Sequence, residues 1–201
     1  MGGDTTTAIA RRQRIGKAAL EVFLRYGYAH TKMADIAEAA GLSRPTLYLT
    51  FPDKETVFRA VVEMIVSTKL ATIRDGVAAL PSVEAKLSFA CEVWGVEGVE
   101  LVLANPNAKD VFDLSFGPVR QGYIAFQAVL VEILSEPLSR AELGVPAHEL
   151  GRVILYGIKG FKEIARDVAD MRLMVRALIT TVSAALRPSE AISRVRAKMK
   201  M

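Results

Sequence analysis

A single cysteine, Cys91, stands in 201 residues, which excludes an internal disulfide and fits a reducing compartment. Set in the apolar run FACEVW, it reads as a small buried hydrophobe rather than a redox sensor. Long apolar stretches are missing too. Mean hydropathy is +0.27, yet charges interrupt every run well before the ~18 residues a spanning helix needs, so no membrane helix is expected. The opening MGGDTTTAIARRQR has no apolar run ahead of its basic cluster, unlike a secretory signal, and the expected location is the cytoplasm. There are just two histidines, His30 and His148, far apart in sequence, and no P-loop, GxGxxG or HExxH pattern occurs. An enzyme is therefore not expected, nor a cofactor or metal site. Two-residue alternation and Asn-Gly turns are lacking as well, which argues against β-hairpins.

What is present is a 51% hydrophobic chain, long enough for one sizeable core or two small ones, with apolar residues at helical spacing. The expected fold is all-α. A first helix is predicted from about Ile9 to Tyr26, burying Ile15, Ala18, Ala19, Val22, Phe23 and Tyr26, with Gly27 as a left-handed C-terminal cap. Thr31 is assigned as N-cap of a short second helix whose apolar face is Met33, Ile36, Ala37 and Ala40. That helix ends at Gly41. Ser43 then caps a third, Arg44 to Phe51, with Pro45 in the first turn where its missing N–H costs nothing. Two short helices joined by a tight glycine turn make a helix-turn-helix. Asp53 opens a long fourth helix, and others are predicted from Pro81-Ser82 to about Ala104, from Gly117 towards Leu143, from His148 to about Arg166, and from Asp170 to Leu186. Residues 1–60 carry 9 Lys/Arg against 6 Asp/Glu, and the remainder 17 against 16, so most of the net +4 lies in the first segment. Arg11, Arg12, Arg14 and Lys17 oppose the dipole at the start of the first helix, which makes sense beside an external polyanion.

Residues 31–54, TKMADIAEAAGLSRPTLYLTFPDK, carry the most information. A helix of this size fits the DNA major groove, where base edges near its N-terminal turn can be read by hydrogen bonding. Arg44 sits at that turn, and its planar fork matches guanine O6 and N7, worth roughly 1–3 kcal/mol of discrimination. Thr46 offers a hydroxyl and a methyl to base or phosphate. Tyr48 faces outward, suited to a phosphate oxygen, while Leu47 and Phe51 face inward against Phe23, Ile36 and Ala37. The pattern T-x-x-x-D-I-A-x-x-A-G-L-S-x-x-T-L-Y-x-x-F-x-x-K resembles the DNA-binding signature of the TetR family of bacterial regulators. The resemblance implies a phosphate role for Tyr48, and one for Lys54 together with its helix dipole. The candidate DNA-binding set is Thr31, Lys32, Ser43, Arg44, Pro45, Thr46, Tyr48, Thr50 and Lys54. Thr50 stands where the family often has histidine, and Ala34 where many members have arginine. Base reading is thus expected to rest on Arg44, with Lys32 supplying backbone contact.

The resemblance is confined to roughly residues 11–60 and implies an architecture for the remainder: a DNA-binding domain over 1–52, a helical effector-binding and dimerisation domain over 53–187, and a basic tail over 188–201. The function so implied is that of a ligand-responsive repressor, a homodimer on a palindromic double-stranded DNA operator. The alternatives are a ligand-independent activator of the same family and a helical protein-interaction adaptor. Ile154, Gly157, Ile158 and Phe161, with Met174, Leu178 and Thr181 of the last helix, are the candidate dimer interface, and Gly151 and Gly160 are expected to allow close approach. Cys91, Trp94, Phe112, Phe116, Tyr123 and Phe126 are the candidate lining for a small apolar or aromatic effector, with Glu97, Glu100 or His148 as polar anchors. Gly95 and Gly98 inside a helix suggest a bend or space kept for that ligand.

Overall fold

A computed structural model describes residues 3–141 and 143–187, with side chains from Thr7 onward. The expected basic tail at 188–201 lies outside the described residues. Among those described there are helices and no strand: α1 (Gly3–His30), α2 (Met33–Ala39), α3 (Arg44–Thr50), α4 (Lys54–Ala78), α5 (Val83–Cys91), α6 (Glu97–Ala104), α7 (Gly117–Ala141), α8 (Ala147–Ile164) and α9 (Val168–Ala185). A π-helical turn, Glu92–Val96, joins α5 to α6, and a 3₁₀ segment, Pro106–Phe112, precedes α7. No helix among the described residues is long and apolar enough to cross a membrane. The chain divides into two compact units: one holds the residues up to Thr68 with Leu101–Gly122, the other Lys69–Glu100 with the residues from Tyr123 onward. The first unit thus takes in more of the chain than the span 1–52.

In the first unit, Ile15, Ala19, Val22 and Phe23 of α1 recur at helical spacing and are buried with Ile36, Leu47, Phe51, Val57, Phe58 and Val61. Fully burying a phenylalanine stabilises by about 1.5–3 kcal/mol, and Phe23, Phe51 and Phe58 are all of this kind. Phe58 is the hub of an aromatic cluster, edge-on to Phe23 at 5.5 Å and 4.7 Å from Tyr28 between ring centres. Tyr26 departs from the expectation. It is exposed, on an open cleft it shares with Glu21, Arg25, Asp35 and Glu38, because the chain turns at the next residue before another apolar layer can cover it.

That turn is Gly27, at φ 76° and ψ 163°, a backbone region effectively closed to other residues. Its position also admits a neighbour: a Cβ there would lie 2.5 Å from the Asn107 carbonyl oxygen of the 3₁₀ segment. The segment docks on the end of α1 by polar bonds. Asp110 accepts from the Tyr28 and Ala29 amides at 3.0 and 2.9 Å, and Asn107 Nδ2 donates to the Arg25 carbonyl at 3.0 Å. Donors and acceptors left over at a helix end are satisfied in this way.

In the second unit, α8 buries Gly151, Ile154, Leu155 and Ile158, and α9 buries Met171, Val175, Ile179 and Val182. Gly95 and Gly98 do not hold open space for a ligand. A Cβ at Gly95 would lie 2.8 Å from Ile158 Cγ2, and one at Gly98 would lie 2.9 Å from Lys162 Nζ, so the glycines let α8 side chains approach. The three glycines of α8 face different ways: Gly151 meets Leu130 and Val131 of α7, Gly157 meets Leu178 of α9, and Gly160 faces open space.

Candidate nucleic-acid interface

Helix α3 has only seven residues, and its two ends are fixed by side chains. At the N-terminus the Ser43 hydroxyl accepts from the Thr46 amide at 3.3 Å and pairs with the Thr46 hydroxyl at 2.7 Å, so both hydroxyls have partners in the free protein. At the C-terminus Arg12 of α1 donates to the Thr50 carbonyl at 3.4 Å, and its guanidinium lies 4.3 Å from the centre of the Phe51 ring. A cation is favoured at a helix C-terminus and over an aromatic face. Leu47 and Phe51 are buried, which anchors one side of α3.

The opposite side carries Arg44, Pro45, Tyr48 and Leu49, all exposed, with Thr50 half-buried and Lys32 exposed just ahead of α2. Leu49 is 87% exposed, the most open large apolar side chain among the described residues. Sequence reasoning passed over it, and the signal was available: Leu47 sits inward with Phe51 four residues on, which leaves Leu49 no place in the core. Arg12, seen only as one of a basic cluster, and Asp110 were missed because their partners lie 38 and about 80 residues away.

Two expected residues take other roles. Thr31 is 2% exposed and its hydroxyl donates to the Gly27 carbonyl at 2.7 Å, which closes it to an external partner. Nor does it cap α2. The N-cap is Lys32, whose amide donates to the Asp35 carboxylate at 2.8 Å. Lys54 turns its ammonium inward, donating to the Tyr28 carbonyl at 2.7 Å and lying 4.4 Å from the centre of the Tyr28 ring. It neutralises the carbonyl end where α1 stops. Lys54→Met is expected to lower the melting temperature by about 2–4 °C, for a charged hydrogen bond worth ~1 kcal/mol in this half-buried setting. If Lys54 instead met phosphate, the visible change would be a flatter salt dependence of DNA binding at unchanged stability.

The residues expected around one ligand separate. Phe116 packs in the first unit, 4.9 Å from Tyr28 and 5.0 Å from Phe58, and Phe112 closes the 3₁₀ segment there. Both lie beyond the end of α6 at Asn105, in the 3₁₀ segment and the turn after it, which pack on α1. Trp94, Tyr123 and Phe126 do meet in the second unit: Trp94 stacks on Phe126 at 4.5 Å and lies edge-on to Tyr123 at 5.7 Å. Cys91 is fully buried, and burial pushes its thiol up to about 12, which keeps it from forming a reactive thiolate. Of the expected anchors, Glu97 already pairs with Lys69 at 2.9 Å, Glu100 is exposed, and exposed His148 lies 3.3 Å from Glu149.

On α8 and α9, Ile154 and Ile158 point into their own unit and are buried, so neither offers surface to a second chain. The stripe Gly151-Ile154-Leu155-Ile158 is the apolar one, and it packs on its own unit. Gly157, Phe161, Met174 and Leu178 are half-buried and Thr181 is exposed. The outer stripe is Val153, Tyr156, Gly160 and Ile164 of α8, with Leu173 and Ala177 of α9. Ile164 is 68% and Leu173 61% exposed.

Residues 15–61 match the family model described as bacterial regulatory proteins, tetR family. The transcriptional regulator RutR of Escherichia coli is 33% identical over 95 residues, covering 46% of this chain and 45% of RutR, so the chain spans less than half the length of that relative. An uncharacterized regulator of Bacillus subtilis, YdgC, is 25% identical over 183 residues, 81% of this chain and 91% of its own. Among solved structures, FadR of Bacillus subtilis in complex with stearoyl-CoA shares the fold at a TM-score of 0.68, with 17% identity, over 87% of this chain and 99% of that one. Residues 15–61 thus carry a helix-turn-helix of the tetR family type, and the chain shares its fold with solved regulators such as FadR.

Proposed function

We propose that the chain is a cytoplasmic transcriptional regulator that binds a palindromic DNA operator as a homodimer and releases it when a small molecule occupies the second unit. The observation that carries this reading is α3 itself: a capped helix anchored by Leu47 and Phe51, with Arg44, Tyr48 and Leu49 free on its outer side. That is the shape a major groove accepts. The apolar outer stripe of α8 and α9 supports pairing of two copies, and a single reading helix contacts too few bases for useful affinity. The rings around Trp94 support a small-molecule site, and FadR, of the same fold, holds stearoyl-CoA. Binding that favours one dimer geometry over another then shifts the DNA-competent population. Repression is the simplest sign of action.

Selection of bound duplexes from a random pool tests the core of this. A palindrome with half-sites about one helical turn apart, bound more weakly as salt rises, is the expected result. No enrichment over random sequence would remove the reading. On the selected operator, Arg44→Ala is expected to cost roughly 1–3 kcal/mol and to relax preference at one base position per half-site. Leu49→Ala is expected to abolish any difference between thymine and uracil at one position, because an exposed apolar tip reads the thymine methyl. Equal, sequence-blind losses from both substitutions would contradict the assigned roles.

A further inference from the structure

Two lysines of the second unit reach the backbone of the π-turn, and only one of them has an anion beside it. Lys69 of α4 is balanced: its Nζ lies 2.9 Å from Glu97 Oε2 and also donates to the Val93 carbonyl of the π-turn. Lys162 of α8 is not. Its Nζ donates to the Trp94 carbonyl at 3.3 Å, and among the described residues no carboxylate lies within ion-pair distance of it. Burial, and then the nearby charge of Lys69, push its ammonium down to about 8. A half-buried cation with one neutral acceptor has hydrogen-bonding capacity to spare, since an ammonium carries three donors. A second donor lies idle on the same residue that meets Lys162. The Trp94 side chain is only 7% exposed, and its indole Nε1 has no acceptor among the described residues. Buried donors are ordinarily paired, so an idle indole on the residue whose carbonyl takes Lys162 calls for an outside acceptor.

We propose that this corner is a carboxylate-binding subsite, in which the ligand sets one negative charge against Lys162 and lays an apolar or aromatic body along Trp94, Tyr123 and Phe126. The inference rests on the reading of the chain as a ligand-responsive regulator and names the chemistry of its effector. One charge is specified by the arrangement, because Glu97 already cancels Lys69 and would repel a second negative group. The apolar body is specified by the rings of Trp94, Tyr123 and Phe126. An anion here restores the full charge of Lys162, so its binding and the protonation of that lysine reinforce each other. Lys162 was legible in sequence: it continues the buried α8 stripe four residues after Ile158.

Trp94 is the sole tryptophan, so its emission reports on the corner directly. The full-length protein is titrated at pH 7 with two matched pairs, octanoate against 1-octanol and benzoate against benzyl alcohol. At least one acid is expected to shift the emission and to bind ten-fold or more tightly than its alcohol. Lys162→Met is expected to reduce that preference to less than two-fold, and Lys162→Arg to retain part of it, with melting temperatures recorded for both. Alcohols binding as well as acids, no acid binding at all, or a preference that survives in folded Lys162→Met would each overturn the proposal. The acid-to-alcohol comparison in the unsubstituted protein decides the matter should Lys162→Met fail to fold. Operator binding is measured in the same solutions. Acids that bind without altering DNA affinity would uphold the subsite and remove the ligand-responsive reading, and a protein that binds its operator but no acid would remove the subsite and leave the DNA-binding reading standing.

Discussion

Leu173→Glu is expected to sediment as a monomer at concentrations where the unsubstituted protein is dimeric, and to bind the full operator at least ~100-fold more weakly. Leu173 is 61% exposed on α9, and Val153, Tyr156 and Ile164 are likewise open on α8, a concentration of apolar surface that a lone chain does not need. In a two-fold interface each substitution occurs twice, on facing surfaces. Two carboxylates taken out of water without partners cost several kcal/mol, enough to separate chains held by an interface of ordinary size. Each monomer then holds one half-site. Analytical ultracentrifugation alongside mobility shifts on whole and half operators checks both parts, and an intact dimer with full affinity would place the interface elsewhere.

Gly27→Ala is expected to lower the melting temperature by about 6–12 °C, corresponding to ~3 kcal/mol in a chain of this length. Two penalties coincide at this position. An L side chain is strained at φ 76°, and the new methyl would lie 2.5 Å from the Asn107 carbonyl and 3.1 Å from the nearer Asp110 carboxylate oxygen. Those are backbone and hydrogen-bonded atoms, so the methyl can be relieved only by moving the 3₁₀ segment off α1. With it would go the Asp110 bonds to the Tyr28 and Ala29 amides. Gly41→Ala makes a useful comparison, because Gly41 has φ 63° but nothing within 4 Å of a Cβ. It suffers the strain without the collision. Thermal melts followed by circular dichroism separate the two, and equal losses would show that crowding at Gly27 counts for little.

The helix-turn-helix was legible because its signals are local. Ser43, Pro45 and the Leu47/Phe51 pair lie within nine residues, and short-range caps and spacing specify α3 without reference to the rest of the chain. The inward turn of Lys54 was not legible, because its acceptor is a carbonyl created only when α1 breaks at Gly27, 27 residues earlier. The same holds for Asp110, whose partners are amides that the same break exposes. In the second unit, periodicity finds α8 and α9 and the apolar stripe of α8, but a stripe that closes its own unit looks the same in sequence as one that meets a second chain. Ile158 and Val153 differ by their neighbours, not by their own character. The π-turn at Glu92–Val96 had glycine as its only sequence mark, and glycine in a helix equally well announces a bend, a gap or, as here, a close neighbour.

The brevity of α3 has a further consequence. Seven residues make two turns, far below the ~12–15 at which a helix becomes even marginal alone in water. A peptide excised from residues 43–51 would be a coil, whatever its cap. The surface proposed to meet DNA therefore exists only as a borrowed shape, lent by Leu47 and Phe51 in the core and by Arg12 at the end of the rod. Warming the protein should accordingly extinguish sequence recognition at the same temperature at which the surrounding head melts, with no residual grip above it.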